Sequence, residues 1–335
     1  MPRVLSVDAA HPDPAVIAEA RDVLLRGGLV AFPTETVYGL GARGLDAKAV
    51  EKIFRAKGRP SGHPVILHVD GDAMARTLSA SWSELASRFA RTFWPGPLTL
   101  VVPRAACVPR EVTGGLDAVG LRSPAHAVAR ALITAVGEPL AAPSANAHTH
   151  VSPTTAEHVV RSLGDRVELV LDAGPSAVGI ESTVLALSED PPRVLRPGGV
   201  SLDALRAIDP RVVHEVVSLE TEAPRAAPGM AAKHYAPRAR VVLAESGGKS
   251  VADAIARESV AEVAALVMTE DARDAASGAR FLVQLPSEPE GYAQRLFAAL
   301  HAAEAASVDV IVIEGVPRDR AWWAIRDRLS RAAKP

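Results

Sequence analysis

The sequence predicts an α/β chain of mixed α+β character, built as a larger mixed-sheet domain followed by a small Rossmann-like parallel α/β domain. Over the first two-thirds, apolar β-branched segments bounded by Gly, Pro or Asp share the chain with helical periodicities, yet strand and helix do not alternate strictly and several strands arrive in succession. Beyond residue 240 the alternation becomes regular, with apolar strands that suit a parallel sheet covered on both faces. Between these regions Pro210, Pro224, Pro228, Gly229 and Pro237 punctuate a stretch that also carries Glu215, Glu220 and Glu222, and its periodicity fades. The boundaries that follow are a first domain over 1–206, a linker over 207–239 and a second domain over 240–335.

In chain order, Pro14–Arg26 shows helical spacing, Leu29–Phe32 reads as a buried strand, and Asp46–Lys57 reads as an amphipathic helix. A strand over Val65–Val69, a helix over Ser83–Thr92, and strands over Leu98–Val102 and Val119–Arg122 come next. Helices over His126–Val136 and Thr154–Leu163 precede three strands, Val167–Leu171, Thr183–Leu187 and Val194–Arg196. The second domain opens with a strand over Val241–Ala244, a helix over Val251–Arg257 and a strand over Val263–Met268. It continues with a short helix after Glu270, a strand over Phe281–Gln284, a helix over Tyr292–Ala305, a strand over Val308–Glu314 and a helix over Arg318–Leu329.

Composition narrows the function. The 335 residues, 48% hydrophobic, can build two cores. With 37 basic against 39 acidic residues the net charge is −2, so no global field draws the chain onto nucleic acid or membrane. Aromatic residues at 4% argue against a stacking platform for single strands, and direct tRNA binding is expected to be weak or absent. Cys107, the one cysteine, excludes an internal disulfide and a multi-cysteine metal site, and is expected to be a small buried packing residue. Met1–Asp8 lacks the basic and apolar regions of a secretory leader, and no uncharged apolar run approaches the ~18 residues a membrane span needs. A cytoplasmic location is the expectation.

The segments able to carry chemistry are loops that leave strands or helices. In Gly27-Gly28-Leu29-Val30-Ala31-Phe32-Pro33-Thr34-Glu35-Thr36-Val37-Tyr38-Gly39-Leu40-Gly41, a strand ends at Pro33 and enters a loop dense in hydroxyls and glycines. Such a loop either brings backbone close to a ligand or is an ordinary turn with N-capping threonines. In Asp46–Lys57, Val50, Ile53 and Phe54 fall at i, i+3 and i+4, so Lys57 at i+7 continues the inward face and either snorkels or points into a cavity. Complementing the helix dipole, worth ~0.3–1 kcal/mol, accounts for Lys57 and Arg59. It leaves the constrained loop Gly58-Arg59-Pro60-Ser61-Gly62-His63-Pro64 unexplained.

Arg122 closes an apolar strand, where it serves either bidentate capture of a carboxylate or phosphate or a buried ion pair. Ala141-Ala142-Pro143-Ser144-Ala145-Asn146 has the small residues and hydroxyls of an anion nest. Ser152, before Pro153, either joins it or N-caps the following helix. Gly179-Ile180-Glu181-Ser182-Thr183 and Arg193-Val194-Leu195-Arg196-Pro197-Gly198-Gly199 repeat the theme of cation beside glycine and hydroxyl, which suits a polyanion such as a nucleoside triphosphate. His148 and His150 lack an acidic companion, so no metal site is expected. Ser246-Gly247-Gly248-Lys249-Ser250 imitates the end of a Walker A loop, but the motif's first glycine would fall at Leu243. A turn with a helix cap is the reading there.

Taken together, these segments resemble the threonylcarbamoyl-AMP synthase family, the Sua5/YrdC proteins, in its longer Sua5 form. Phe32–Gly41, Lys57-Gly58-Arg59, Phe93-Trp94-Pro95-Gly96-Pro97-Leu98-Thr99-Leu100, Ala142–Asn146, Gly179–Thr183 and Arg196–Gly199 look like its motifs in its order, and Pro228-Gly229-Met230 and His234-Tyr235-Ala236-Pro237 look like its linker. The resemblance implies a YrdC-like concave mixed-sheet catalytic domain. It also implies an enzyme that condenses L-threonine, bicarbonate and ATP, with Mg²⁺, to threonylcarbamoyl-AMP for a downstream tRNA threonylcarbamoyl-transferase machinery. Thr36, His68, Arg122 and Ser182 would surround threonine. Lys57, Arg59, His63, Ala142, Ser144, Ser152, Arg196 and Tyr235 would surround the nucleotide, with Lys57 and Arg59 catalytic and the linker closing over the site. His63 and Ala118 depart from the family's frequent asparagine and threonine. The rival readings are a carbamoyl-adenylate enzyme, which would need further catalytic domains, and a double-stranded RNA binder, which the neutral charge weakens.

Overall fold

The computed structural model describes residues 1–214, 234–258 and 262–334. The greater part of the expected linker, 215–233, lies outside the described residues. The chain packs as two units, one of Met1–His148, Ser152–Ala177 and Glu181–Met230 (described to residue 214), the other of Thr149–Val151, Val178–Ile180 and Ala231–Pro335.

The strands of the first unit are β1 (Arg3–Ser6), β2 (Val30–Phe32), β3 (Gly39–Arg43), β4 (Leu67–His68), β5 (Leu98–Pro103), β6 (Ala118–Arg122), β7 (Leu140–Ala141), β8 (Leu169–Asp172), β9 (Thr183–Ala186) and β10 (Arg193–Arg196). Its helices are α1 (Pro14–Leu25), α2 (Ala47–Lys57), α3 (Asp72–Thr77), α4 (Glu84–Phe93), α5 (Arg110–Thr113), α6 (Ala127–Val136), α7 (Ala156–Leu163) and α8 (Leu202–Ile208). The strands form one ten-stranded sheet in the order β1-β8-β2-β3-β7-β4-β6-β5-β9-β10. It is mixed: β2 runs parallel to β8 but antiparallel to β3, and β5 runs parallel to β9 but antiparallel to β6. Asp13 caps α1 at Ala15 and Pro14 presets its first turn. Ile17 and Leu24 of α1 then pack with Leu132 and Ile133 of α6 and with Phe32, Leu140 and Leu171 of the sheet.

The glycine-rich stretch expected to be a loop is in part a strand. Gly39–Arg43 pairs with β2, Phe32 opposite Gly39 and Val30 opposite Gly41. A Cβ on Gly41 would lie 2.6 Å from the Phe32 ring, so the glycine makes room for the aromatic beside it. Leu202–Ile208, at the boundary with the expected linker, is α8, capped by Ser201 at Ala204. Cys107 is exposed rather than buried, on a turn where its Sγ faces the Thr77 carbonyl at 3.5 Å.

The second unit is β11 (Arg240–Leu243), α9 (Gly248–Ala256), β12 (Val263–Val267), α10 (Glu270–Ala275), β13 (Phe281–Gln284), α11 (Pro289–Ala305), β14 (Val310–Ile313) and α12 (Trp323–Ala332). Its sheet is parallel throughout, in the order β11-β14-β12-β13. The Walker-like turn before α9 is capped, though not by its own serines. The Gly248 amide donates to Asp271 Oδ2 at 2.7 Å and the Gly247 amide to Glu314 Oε1 at 3.3 Å. Glu314, 1% exposed, also accepts from the Met268 and Thr269 amides and the Thr269 hydroxyl at 2.6, 3.0 and 2.8 Å. The protein's own carboxylates hold the amides that a phosphate would need. Because hydrogen bonds to a charged group are worth about 1.5–3 kcal/mol each, Glu314→Ala is expected to lower stability by about 3 kcal/mol or more. Urea unfolding measures this, and a change below about 1 kcal/mol would contradict it.

Candidate active site

Helix α2 delivers Lys57 to the interior. Its apolar face, Val50, Ile53 and Phe54, is buried, and Lys57 on the same face is 3% exposed. Gly58 ends the helix in the left-handed region at φ 62°, a conformation that suits glycine and turns the chain before Arg59. The Lys57 ammonium neither snorkels nor projects freely. It donates to the carbonyls of Ser144 and Asn146, both at 2.5 Å, with Asn146 Oδ1 at 3.3 Å. Burial pushes its pKa well below the ordinary lysine value, Arg59 and Arg166 push the same way, and Glu181 opposes them. Arg59, 8% exposed, donates from Nη2 to the Pro64 carbonyl at 2.8 Å, which explains the proline-bounded loop as its support. His63 packs edge-on against His148, with ring centroids 5.4 Å apart.

In the segment expected to form an anion nest around Ala142, two amides are taken up by the sheet. The Ala142 amide donates to Ile66 O at 3.0 Å and the Ala145 amide to Tyr38 O at 2.9 Å, because this segment prolongs the sheet beside β3 and β4. Its contribution is instead the carbonyl pair that holds Lys57. Ser144 lies on the same segment, bridged to Gly39. Ser152 is not a helix cap either. Thr155 caps α7 at His158, and the Ser152 hydroxyl donates to Glu181 Oε1 at 2.5 Å, both residues buried.

Around Arg122 the structure realises the ion-pair alternative and leaves donors over. Nη2 lies 2.8 Å from Glu35 Oε1 and Nε donates to Gly96 O at 3.3 Å, while Nη1 makes no hydrogen bond among the described residues. Glu35 also accepts from the Ala125 amide at 3.1 Å. His68 is paired in register with Arg122 across β4 and β6. Burial, followed by the Arg122 charge, lowers its pKa to about 3, so it is neutral near pH 7. The Thr34 hydroxyl donates to Val37 O at 2.6 Å, so it must accept from Thr36 at 2.8 Å. These threonines build a turn rather than a helix cap, and Thr36 is left with acceptor lone pairs.

The buried His68 gives a pH prediction. From pH 6.5 down to about 3 the unfolded chain protonates this histidine while the folded one does not. The unfolded state therefore binds more protons, and stability drops by about 1.4 kcal/mol for each unit by which pH is lowered through this window. His68→Gln is expected to flatten the stability curve across that window and leave it unchanged above it. Urea midpoints measured down the pH scale check this, and parallel curves for the two proteins would refute it.

Ser182, expected beside threonine, is in contact with Arg196, expected beside the nucleotide. Its Oγ lies 2.8 Å from the Thr99 hydroxyl and accepts from Arg196 Nη2 at 3.1 Å, while Arg196 also donates to Ser182 O from Nε and Nη2 at 3.2 and 2.9 Å. Gly198 permits this approach, since a Cβ there would lie 2.2 Å from Glu181 O. Lys57 and Arg59 share one electrostatic neighbourhood with Glu181, and Arg196 grips the next residue. Tyr235 belongs to the second unit and is 1% exposed. Glu35, Thr99, Asn146 and Glu181 lie within the sequence motifs, where no role is expected for them. A carboxylate beside buried cations, flanked by hydroxyls and glycines, is the signal that marks Glu35 and Glu181.

A family model for Sua5, YciO and YrdC proteins, described as telomere recombination, matches residues 22–198. A second, described as the C-terminal domain of threonylcarbamoyl-AMP synthase, matches residues 200–334. A threonylcarbamoyl-AMP synthase of Pyrococcus abyssi is 40% identical over 320 residues, covering 94% of this chain and 93% of its own. One from Bacillus subtilis is 38% identical over 321 residues, covering 95% and 92%. The crystal structure of P. abyssi Sua5 complexed with L-threonine matches with a TM-score of 0.91 at 38% identity, covering 98% of this chain and 97% of that one. The chain belongs to the threonylcarbamoyl-AMP synthase family, in its longer Sua5 form.

Proposed function

We propose that the chain condenses L-threonine, bicarbonate or CO2, and Mg·ATP to threonylcarbamoyl-AMP and pyrophosphate. The product supplies N6-threonylcarbamoyladenosine modification of tRNA in the cytoplasm, where these substrates occur together. The observation that carries the reading is the bond from Arg196 to Ser182, which adjoins a cation suited to phosphate and a hydroxyl suited to threonine. An adenylation step needs its two reactants held side by side.

The threonine amine takes up CO2 to form a carbamate, and a carbamate oxygen attacks the α-phosphorus of ATP, whose bond to the bridging oxygen breaks as pyrophosphate leaves. Such a substitution depends on position and charge neutralisation and needs no covalent nucleophile. Lys57, Arg59 and Arg196 neutralise the phosphates. Arg122 takes the threonine carboxylate with Nη1 and the second Nη2 proton, Thr36 offers acceptor lone pairs on the amine side, and neutral His68 adds a hydrogen bond without adding charge. His63, Ser144 and Ser152 line the nucleotide side, and the resemblance adds Tyr235. Magnesium enters on the triphosphate as part of the substrate. Among the described residues no group of three or more His, Cys, Asp or Glu could hold a metal ion.

The test is pyrophosphate release from purified protein given ATP, Mg²⁺, bicarbonate and threonine, each omitted in turn. Release that requires all of them is expected. Release without threonine would overturn the assignment.

A further inference from the structure

The mixed sheet of the first unit sets a row of polar side chains across one of its faces. His68 of β4 pairs in register with Arg122 of β6. The β5–β6 register, with Leu100 opposite Leu121, continues by one residue to place Thr99 beside Arg122. On the other side of β5, Thr99 pairs with Val184 of β9, and Ser182 lies two residues before Val184 and so on the same face. The strand order β4-β6-β5-β9 therefore puts Thr99 between Arg122 and Ser182. His68, Arg122 and Ser182 are all expected around threonine, whereas Thr99, in the middle of their row, has no role in that reading.

A hydroxyl at this position needs an explanation. Thr99 is 0% exposed on an otherwise apolar strand, where valine would carry no polar group to bury. Its methyl rests beside Gly120 of β6, since a Cβ on that glycine would lie 3.3 Å from Thr99 Cγ2, and its hydroxyl is turned to Ser182 Oγ at 2.8 Å. Ser182 is its one hydrogen-bond partner among the described residues, so the Thr99 proton is unpaired unless it is given to Ser182. Ser182 Oγ also accepts from Arg196 Nη2 at 3.1 Å. With both donations its two lone pairs are filled, and its own proton is left for a third group.

We propose that Thr99 is a positioning residue for threonine: it fixes the Ser182 hydroxyl as a donor whose proton points at a substrate oxygen. The inference rests on the reading that Ser182 contacts threonine, and it assigns no substrate contact to Thr99.

Steady-state pyrophosphate release by the full chain tests it in Thr99→Val, Thr99→Ser, Ser182→Ala and the double variant Thr99→Val/Ser182→Ala, with KM measured separately for threonine and Mg·ATP. Thr99→Val keeps the side-chain shape and is expected to raise KM for threonine about fivefold, the scale of one hydrogen bond. KM for Mg·ATP is expected to stay unchanged, because Arg196 keeps both of its bonds to the Ser182 carbonyl. Thr99→Ser restores the hydroxyl and is expected to restore the KM for threonine. The double variant is expected to match Ser182→Ala, since orienting has no effect once the oriented group is gone. An unchanged KM for threonine in Thr99→Val beside a raised one in Ser182→Ala would overturn the role of Thr99 alone. So would an equal rise for both substrates, losses that multiply in the double variant, or a loss that persists in Thr99→Ser. Wild-type kinetics of Ser182→Ala would overturn the threonine reading of Ser182 and the role of Thr99 with it. Should Thr99→Val not fold, Thr99→Cys decides, because its thiol is a weak donor. A threonine-selective loss supports the proposal, and no loss or an equal loss for both substrates rejects it.

Discussion

Lys57→Ala is expected to cut threonine- and ATP-dependent pyrophosphate release by about 10²–10³-fold, the usual effect of removing one preorganised donor from a developing charge. The residue is set up for such a role. Its ammonium is buried, held by carbonyls rather than by a neutralising carboxylate, and lies near Arg59. Its nitrogen is therefore fixed in place before any phosphate arrives, little reorganisation accompanies binding, and an incoming phosphate would favour the charged form that burial disfavours. Arg59→Ala is expected to act in the same direction. The fold should persist in Lys57→Ala because α2 keeps its apolar face and its Gly58 cap. Two carbonyls lose a donor, a penalty of about 1–3 kcal/mol each if they stay dry, which water entering the vacated space reduces. Steady-state kinetics together with thermal unfolding separate the two effects. Near-normal pyrophosphate release from both variants would contradict the assignment.

What the sequence made legible differs between the two units for a physical reason. The parallel sheet of the second unit was readable because its strands are apolar, bounded and strictly separated by helices, so periodicity and order carry the same message. In the first unit β1 and β7 leave no clear signal in the sequence. The two residues of β7 carry no period, and β1 is exposed at three of its four positions. β3 looks like a loop in sequence because glycines, which usually mark turns, are used there to accommodate Phe32. In the candidate site the cations stood out, since charge at the end of an apolar strand or on the buried face of a helix is conspicuous. Their partners did not. Glu35 meets Arg122 across 87 residues, and Asn146 meets Lys57 across 89 residues, contacts that no local pattern encodes. Ser152 shows the same limit. Local grammar makes a serine before proline a helix cap, whereas the sheet carries it to Glu181.

Arg122→Ala is expected to abolish threonine saturation and also to destabilise the protein, and the pairing with Glu35 shows how to separate these effects. The ion pair is buried, with side-chain exposures of 4% and 11%. Removing the guanidinium alone strands a carboxylate, a loss of about 3–5 kcal/mol. Replacing both charged groups removes that penalty, since a buried pair exchanged for neutral groups is often close to neutral in stability. Arg122→Met/Glu35→Gln is therefore expected to recover most of the melting temperature lost by Arg122→Ala. If the remaining guanidinium protons hold the threonine carboxylate, the double variant will still show a KM for threonine raised about 100-fold or more, the scale of a lost charge-assisted contact, with the KM for Mg·ATP little changed. Glu35→Gln alone keeps the arginine and should keep threonine affinity within a few-fold. A double variant that regained both stability and threonine affinity would make Arg122 a structural cation only, and the carboxylate grip would then have to be sought elsewhere in the first unit.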